Sequence, residues 1–199
     1  MSRPSKHRAA IIAAASRLFR RQGYAATGVN DIVAVSGAPK GSLYHYFPEG
    51  KEQIAEEAVL YAGRLVAETL RTLASQHNTA GGMICAYAGL LAGWMEASGF
   101  RDGCPITTVL LEVGAESERI AAAGRLAFGA YREVYQMALE GDGLPPERAA
   151  CLAGVAVAVM QGALVQARVA RSGTPILEAA REAARLFAPP AGQDKEAFI

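Results

Sequence analysis

Residues 28–47 read GVNDIVAVSGAPKGSLYHYF, two short segments on either side of a turn at Ser36, Gly37 and Ala38. Glycine readily takes the left-handed conformation that ends a helix, so Gly37 predicts the end of the first segment. Pro39 suits the first position of the next helix. Two short helices joined by a tight turn that contains glycine predict a helix-turn-helix motif over residues 28–47.

The rest of the chain also has the pattern of helices. Alternating β-branched runs are missing, alanine and leucine dominate, and glycine or proline marks frequent breaks. Helices are predicted over residues 5–22, 28–37, 39–46, 50–74, 79–97, 105–114, 117–140, 146–171 and 175–187. The expected fold is therefore all-α, with about nine helices.

Charge is distributed unevenly along the 199 residues. Residues 1–51 hold eight Lys or Arg and two acidic residues, whereas the remaining residues hold 12 basic and 17 acidic residues. A basic amino-terminal part on an acidic remainder favours contact with a polyanion such as nucleic acid. A solvated basic face is the alternative that charge alone leaves open.

The three cysteines are odd in number and widely spaced, and no pair has metal-ligand spacing. With no signal peptide in view, Cys85, Cys104 and Cys151 are expected to be reduced thiols in a cytoplasmic protein without a metal or cofactor. Residues 150–167 are apolar apart from two glutamines, yet they fall short of the roughly 20 residues of a membrane span. A helix buried on nearly all sides of a soluble protein is the expectation.

The predicted third helix has side chains that suit DNA. Lys40 and Ser42 lie in its first turn, where helix N-termini favour phosphate oxygens. Gly41 costs about 1 kcal/mol relative to alanine inside a helix, which indicates close approach of a neighbouring helix or of a DNA backbone. Residues 44–46 add hydroxyl and imidazole groups for phosphates, with ring edges for sugars and thymine methyl groups.

The run of residues 23–54, GYAATGVNDIVAVSGAPKGSLYHYFPEGKEQI, resembles the N-terminal domain of the tetracycline-repressor (TetR) family. The resemblance implies a three-helix DNA-binding domain over residues 1–50 and a larger body over residues 51–188. That body would form a homodimer and bind a small hydrophobic or aromatic inducer, and the dimer would bind a palindromic operator. Residues 189–199 are expected to be a mobile tail.

Carried over by position, the resemblance implies a set of DNA contacts near the second, third and fourth helices. These residues are Thr27, Asn30, Lys40, Gly41, Ser42, Tyr44, His45, Tyr46 and Lys51. Two features depart from the common pattern: Pro39 removes a backbone donor, and FPEGKE is one residue longer than F-x-[ST]-K-E. Gly-Cys-Pro at residues 103–105 is similar to a subgroup of antibiotic- and flavonoid-responsive repressors, the LmrA/YxaF-like proteins.

Other residues of this part have structural interpretations. Leu43 and Phe47 are expected to pack the third helix onto the first. The cluster Arg17, Arg20 and Arg21 is interpreted as a solvated face. A DNA-touching arm is predicted from three further cations, Arg3, Lys6 and Arg8.

Two apolar stripes late in the chain predict a subunit interface. Their small or apolar residues recur at helical spacing and are Gly154, Ala158, Gly162, Ile176, Ala180, Ala183 and Phe187. Internal packing is the alternative. The resemblance adds that the last two long helices pair with those of a second subunit in a four-helix arrangement.

Aromatic, sulfur and polar residues in the middle helices predict a ligand cavity. The candidates are Tyr61, Leu65, Met83, Tyr87, Leu91, Trp94, Phe100, Thr107, Leu111, Phe128, Tyr131, Met160 and Gln161. Such a cavity suits a flat or elongated hydrophobic ligand with one or two polar ends. For any single residue of the set, ordinary core packing is the alternative.

Two other classes of function compete with a ligand-responsive repressor. An enzyme would need a nucleophile beside a base, a metal cluster or a phosphate loop, and none is present in the sequence. The acidic residues Glu112, Glu116 and Glu118 are interpreted as a solvated face. A DNA-binding protein without an inducer, or an activator, is the second alternative, and the sequence distinguishes these weakly.

Overall fold

The computed structural model describes residues 6–188 and contains only helices and connecting turns over that range. Its helices are α1 Lys6–Gln22, α2 Val29–Ser36, α3 Lys40–Tyr46, α4 Lys51–Gln76, α5 Ala80–Ala97, α6 Pro105–Val113, α7 Glu118–Gly141, α8 Pro146–Ala170 and α9 Thr174–Phe187. The predicted all-α fold is confirmed. The predicted tail at residues 189–199 and Arg3 of the predicted arm lie outside the described residues.

Helices α1 to α3 pack around a small core and are called the head below. Ile32 of α2, Leu43 of α3 and Phe47 just after it have no exposed surface, as has Phe19 of α1. Gly37 has φ 65° and its N–H donates to Val33, so the turn ends α2 as the sequence predicts. The expected core role of Leu43 and Phe47 is confirmed.

Helices α4 to α9 form the body. Helix α4 packs on α7, α7 packs on α8, and α9 packs on both α5 and α8. The predicted interface residues Ile176, Ala180, Ala183 and Phe187 are all buried within this single chain. Their assignment to a subunit surface is wrong, because α5 and α8 of the same chain already cover that face of α9.

The long helix α8 is buried on one side only. Among the described residues it is the one helix long and apolar enough to cross a membrane by length and composition, yet only 39% of its most apolar window is buried. The expectation of burial on nearly all sides is therefore wrong. Its inner face packs on α7 and α9, and its outer face is apolar and exposed.

The head is attached to the body at α6 as well as through α4. The backbone N–H groups of Tyr24 and Ala25, in the turn after α1, donate to the Glu112 carboxylate of α6 at 3.0 and 2.6 Å. Glu112 is exposed, as the interpretation of a solvated acidic face expects, but its carboxylate also binds the head. Glu116 and Glu118 are exposed, as expected.

Two further hydrogen bonds join α1 to the start of α6. The N–H of Gly103 donates to the Arg20 carbonyl at 3.0 Å. The Thr108 hydroxyl donates to the Phe19 carbonyl at 3.0 Å. The last carbonyl groups of a helix have no partner within that helix, so α6 and the loop before it cap the end of α1.

Candidate nucleic-acid interface and ligand cavity

Helix α3 has one buried face and one exposed face. Leu43 is completely buried against the head, whereas Tyr44 is 61% exposed. Lys40 and His45 are exposed on the same outward side. The head therefore presents a cationic, ring-bearing helix to solvent, which is the presentation that a recognition helix needs to enter a major groove.

Gly41 lies on this exposed face with open space around it. A Cβ atom built on Gly41 would meet no atom within 4 Å. The sequence allows two reasons for a glycine here, a neighbouring helix or a DNA backbone. No helix of residues 6–188 approaches Gly41, so packing of a neighbouring helix within that range does not account for the glycine.

The other predicted DNA contacts differ in how exposed they are. Asn30 is exposed on α2, and Ser42 and Tyr46 are half-buried, with the Tyr46 ring edge-on to His45 at 4.9 Å between centroids. Thr27 is completely buried, and its hydroxyl donates to the Gly23 carbonyl at 2.7 Å. The predicted DNA contact from Thr27 is wrong, because the residue has no exposed surface and its hydroxyl holds the turn between α1 and α2.

Lys51 opens α4 beside the same turn. Its ammonium lies 4.1 Å from the centroid of the Tyr24 ring and 3.5 Å from the Ala25 carbonyl oxygen. Burial lowers the pKa of the Lys51 amine, and the nearby Glu112 carboxylate acts in the opposite direction. The cation is thus held at the junction of head and body, with its side chain half-buried.

The predicted amino-terminal arm is represented by two residues of the described range. Lys6 is exposed at the start of α1. Arg8 pairs with Glu57 of α4 at 2.5 Å, and its guanidinium lies 5.6 Å from the centroid of the Phe47 ring. Arg8 is therefore part of the packing between α1, the end of α3 and α4.

A cavity of about 980 Å³ lies between the head and the body. Its wall is formed by residues of α1, α4, α5, the loop before α6, the first residue of α6, α7 and α8. Six of the residues that the sequence predicts for a ligand site lie on this wall: Leu65, Tyr87, Leu91, Trp94, Tyr131 and Gln161. Trp94 is half exposed there.

The other seven predicted ligand residues do not lie on this wall. They are Tyr61, Met83, Phe100, Thr107, Leu111, Phe128 and Met160. Met83 and Met160 are core residues, and Met83 borders a separate cavity of about 220 Å³. Leu111 is 79% exposed. Thr107 contacts a residue of the wall, because its hydroxyl donates to the Gln161 side chain at 2.8 Å.

The head contributes three residues to the cavity wall that the sequence does not predict. They are Ser16, Arg20 and Arg21 of α1. Arg17 and Arg21 are exposed, as the interpretation of a solvated face expects, whereas Arg20 is half-buried. Arg20 Nε lies 2.8 Å from Asp102 Oδ2 in an ion pair without hydrogen-bond geometry. That pair joins the head to the loop before α6 at the cavity wall.

Two buried phenols add to the polar groups of the cavity wall, which also include Arg20, Arg21 and Gln161. Tyr87 is 6% exposed and Tyr131 3% exposed, and burial raises the pKa of both hydroxyls, so they remain protonated. The Tyr131 hydroxyl is buried without a hydrogen-bond partner among the described residues. Tyr135 is also a buried phenol without such a partner, but it lies off the wall.

The outer face of α8 carries a regular apolar stripe, called the α8 stripe below. Its exposed residues alternate at spacings of four and three: Cys151, Val155, Ala158, Gly162, Val165 and Val169. Two of the predicted interface residues, Ala158 and Gly162, lie on it. Gly154 does not, because it is half-buried beside the Arg132 side chain of α7.

Residues 6–188 contain no group of three or more His, Cys, Asp or Glu side chains that could hold a metal ion. The geometry defines a helix-turn-helix head that exposes its third helix, an all-helical body, and a cavity between the two. That combination is typical of a one-component transcriptional regulator.

Comparison with known families agrees. Residues 11–58 match the family of bacterial regulatory proteins described as the tetR family. Residues 80–182 match the C-terminal domain described as that of LmrA/YxaF-like transcriptional regulators. The chain belongs to the TetR family of transcriptional regulators, with an LmrA/YxaF-like C-terminal domain. It is a DNA-binding regulator and not an enzyme, and the resemblance inferred from residues 23–54 is confirmed.

Individual relatives match most of the chain. The HTH-type transcriptional regulator Rv0196 of Mycobacterium tuberculosis is 36% identical over 171 residues, which cover 83% of this chain and 86% of the relative. The HTH-type transcriptional regulator LmrA of Bacillus subtilis is 33% identical, covering 84% and 89%. A TetR regulatory protein of Rhodobacter sphaeroides has the same fold, with a TM-score of 0.80 at 21% identity, covering 92% and 99%.

Proposed function

We propose that the protein is a cytoplasmic, homodimeric repressor that leaves a palindromic operator when a small hydrophobic or aromatic ligand occupies the cavity. In this proposal α1 to α3 read DNA, and the part from α4 onward binds ligand and the second subunit. The observation that carries the proposal is that Ser16, Arg20 and Arg21 line the cavity. A helix of the DNA-binding head thereby borders the space that a ligand would fill.

The α8 stripe supports the dimer. A stripe at alternating spacings of four and three is the pattern with which one helix packs along another. Small residues at Ala158 and Gly162 permit close approach of the partner helix, while Val165 and Val169 remain 57% and 82% exposed in the single chain. Covering these side chains with a second copy would remove apolar surface from water.

The cavity also suits a ligand in size and chemistry. Small-molecule sites usually enclose roughly 300–1,000 Å³, with a mostly apolar wall and few polar groups. Leu65, Leu91 and Trp94 supply apolar surface here. Tyr131 offers a buried hydroxyl without a partner, so a ligand carbonyl or hydroxyl group that reached it would satisfy that phenol.

Release follows from the position of α4. This helix begins at Lys51 beside the head and borders the cavity between residues 62 and 76. A dimer must hold its two recognition helices about 34 Å apart to read successive major grooves. A ligand that prefers a different α4 position by a few kcal/mol would change this spacing and release the DNA.

Lys51→Ala tests the proposed phosphate contact from α4. We expect weaker binding to all duplex sequences and a salt dependence of log K that is flatter by about 0.9 for each phosphate that the variant no longer neutralises. Fluorescence anisotropy of a labelled duplex at several salt concentrations measures the slope. Arg71→Ala, which removes an exposed cation from the same helix, is the control. An unchanged slope would exclude Lys51 from DNA binding.

Tyr131→Phe tests the ligand site itself. Trp94 is the chain's only tryptophan and lies on the cavity wall, so its fluorescence reports occupancy without a label. Compounds that change this fluorescence and weaken DNA binding are first selected with the unmodified protein. For those with a polar group, we expect Tyr131→Phe to weaken binding by about fivefold to a hundredfold, the effect of losing one buried hydrogen bond.

The matched control for Tyr131 is Tyr135→Phe. It removes the same hydroxyl from a phenol that is also buried and unpartnered but lies off the wall. We expect Tyr135→Phe to leave ligand affinity unchanged. Neither variant should lower the free energy of unfolding, since each removes a buried polar group without a partner. Equal ligand affinity in all three proteins would contradict the assignment of Tyr131.

A further inference from the structure

The Glu112 carboxylate is bound by two backbone N–H groups of the turn after α1, an arrangement called the Glu112 seat below. Both oxygens of its carboxylate accept a hydrogen bond, Oε1 from the Tyr24 N–H and Oε2 from the Ala25 N–H. Two successive backbone N–H groups form a concave anion-binding surface, here occupied by a side chain of the body. Charge-assisted hydrogen bonds of this kind are about twice as strong as neutral ones.

The residue before these two amides leaves room for the carboxylate. Gly23 has φ 83°, and a Cβ atom at this position would overlap the Glu112 carboxylate. Glycine at residue 23 therefore suits the left-handed backbone conformation, and any larger residue there would displace the Glu112 carboxylate. Adding one methyl group at residue 23 would therefore disturb the contact between α6 and this turn.

A cation completes the arrangement. The Lys51 ammonium lies against the Tyr24 ring and near the Ala25 carbonyl, within electrostatic reach of Glu112. The turn is thus held by a carboxylate from α6 and flanked by a lysine from α4. The two helices of the body that approach the head meet at this point.

Helix α6 connects this seat with the cavity. Asp102, Cys104 and Pro105, before and at its start, lie on the cavity wall. Glu112 comes seven residues after Pro105, about 10 Å along a helix axis. A displacement of the wall at Pro105 would therefore move the carboxylate and, with it, the turn between α1 and α2.

We propose that Glu112 is a positioning residue that sets the orientation of the DNA-binding head relative to the body. This inference rests on the proposed function, because it describes how the cavity and the head of the same regulator are coupled. Without the carboxylate, α4 and the bonds from Gly103 and Thr108 still attach the head. The turn, however, no longer follows α6, and the two heads of a dimer lose their fixed spacing.

The first experiment compares Glu112→Gln and Glu112→Ala with Glu116→Gln, which alters an exposed acidic residue four positions on. The probe is a duplex that the unmodified full-length protein selects from a random pool. We expect both Glu112 variants to bind this duplex up to about tenfold more weakly, the effect of losing a charge-assisted hydrogen bond. Binding to a non-selected duplex should stay within about twofold, because the charge of the head is unchanged.

A second measurement on the same variants uses no DNA. Amide hydrogen exchange at Tyr24 and Ala25 should accelerate in both Glu112 variants and stay unchanged in Glu116→Gln, while the free energy of unfolding is measured as the control for folding. Protection of both amides in Glu112→Ala equal to that of the unmodified protein would overturn the inference. So would undiminished affinity for the selected duplex.

A double-mutant cycle isolates the interaction of Gly23 with Glu112. Gly23→Ala alone should weaken duplex binding through both backbone strain and displacement of the carboxylate. In the Glu112→Ala background the displacement no longer matters, so Gly23→Ala should have a smaller effect there. Additive effects of the two substitutions would contradict an interaction between Gly23 and Glu112. If the unmodified protein selects no duplex at all, the proposed function fails as well, whereas loss of coupling alone leaves it standing.

Discussion

Val165→Glu is expected to convert the dimer into a monomer. In a two-fold interface the substitution places two carboxylates in the α8 stripe, and an uncompensated buried charge costs about 3–5 kcal/mol. The dimer should therefore weaken by at least about a thousandfold. Because Val165 is 57% exposed in the single chain, the fold of each subunit should be unaffected. Sedimentation equilibrium measures the association, and circular dichroism checks the helices.

The matched control for Val165 is Met137→Glu. Met137 is 67% exposed on α7, outside the α8 stripe, so the same charge is added to an apolar surface residue of the body. It should remain dimeric and bind DNA as the unmodified protein does. A dimeric Val165→Glu protein, or loss of the dimer in both variants, would mean that the α8 stripe is not the interface.

Tyr44→Ala is expected to have the second-largest effect. Tyr44 is the more exposed of the two tyrosines of α3, and one good base contact contributes about 1–3 kcal/mol. Both heads of a dimer lose it, so binding to a selected duplex should weaken by about 2–6 kcal/mol. Electrophoretic mobility shift with the selected duplex measures the loss.

Two comparisons define the role of the tyrosine. Tyr44→Phe keeps the ring and removes only the hydroxyl, so it should retain part of the affinity if ring contacts matter. Leu126→Ala truncates an exposed side chain of α7 and should leave binding intact. If Tyr44→Ala bound the selected duplex with unchanged affinity, α3 would not be the recognition helix.

The helix-turn-helix motif is predictable from the sequence because its determinants are local. Gly37 ends α2 through its own backbone conformation, and Pro39 precedes the first turn of α3. The alternation of Leu43 and Phe47 with polar neighbours then decides which face of α3 is buried. All of these signals lie within a few residues of the structure that they specify.

Periodicity is a weaker guide in the body because it shows that a face is covered without showing what covers it. Ile176 and Phe187 follow the same helical spacing as an interface stripe would, yet α5 and α8 of the same chain bury them. The prediction of the cavity wall is incomplete for a related reason. Its head-derived residues Arg20 and Arg21 are charged, and only the packing of α1 over the body places them there.

The hydrogen bonds of Glu112 cannot be predicted from the sequence. Its partners are backbone amides 87 and 88 residues earlier in the chain, and an amide has no side-chain signature. The predicted helix over residues 5–22 indicates Gly23 only as the residue that follows it. The second requirement on that glycine, room for a distant carboxylate, becomes visible only when α6 is seen against the turn.

The most direct test of the central claim is selection of duplex DNA from a random pool by the purified full-length protein, with the molar mass of the bound complex measured by light scattering. The account predicts enrichment of a two-fold symmetric sequence whose half-sites lie about one helical turn apart, bound by an even number of chains. A monomeric protein that enriches no sequence at low salt would contradict it.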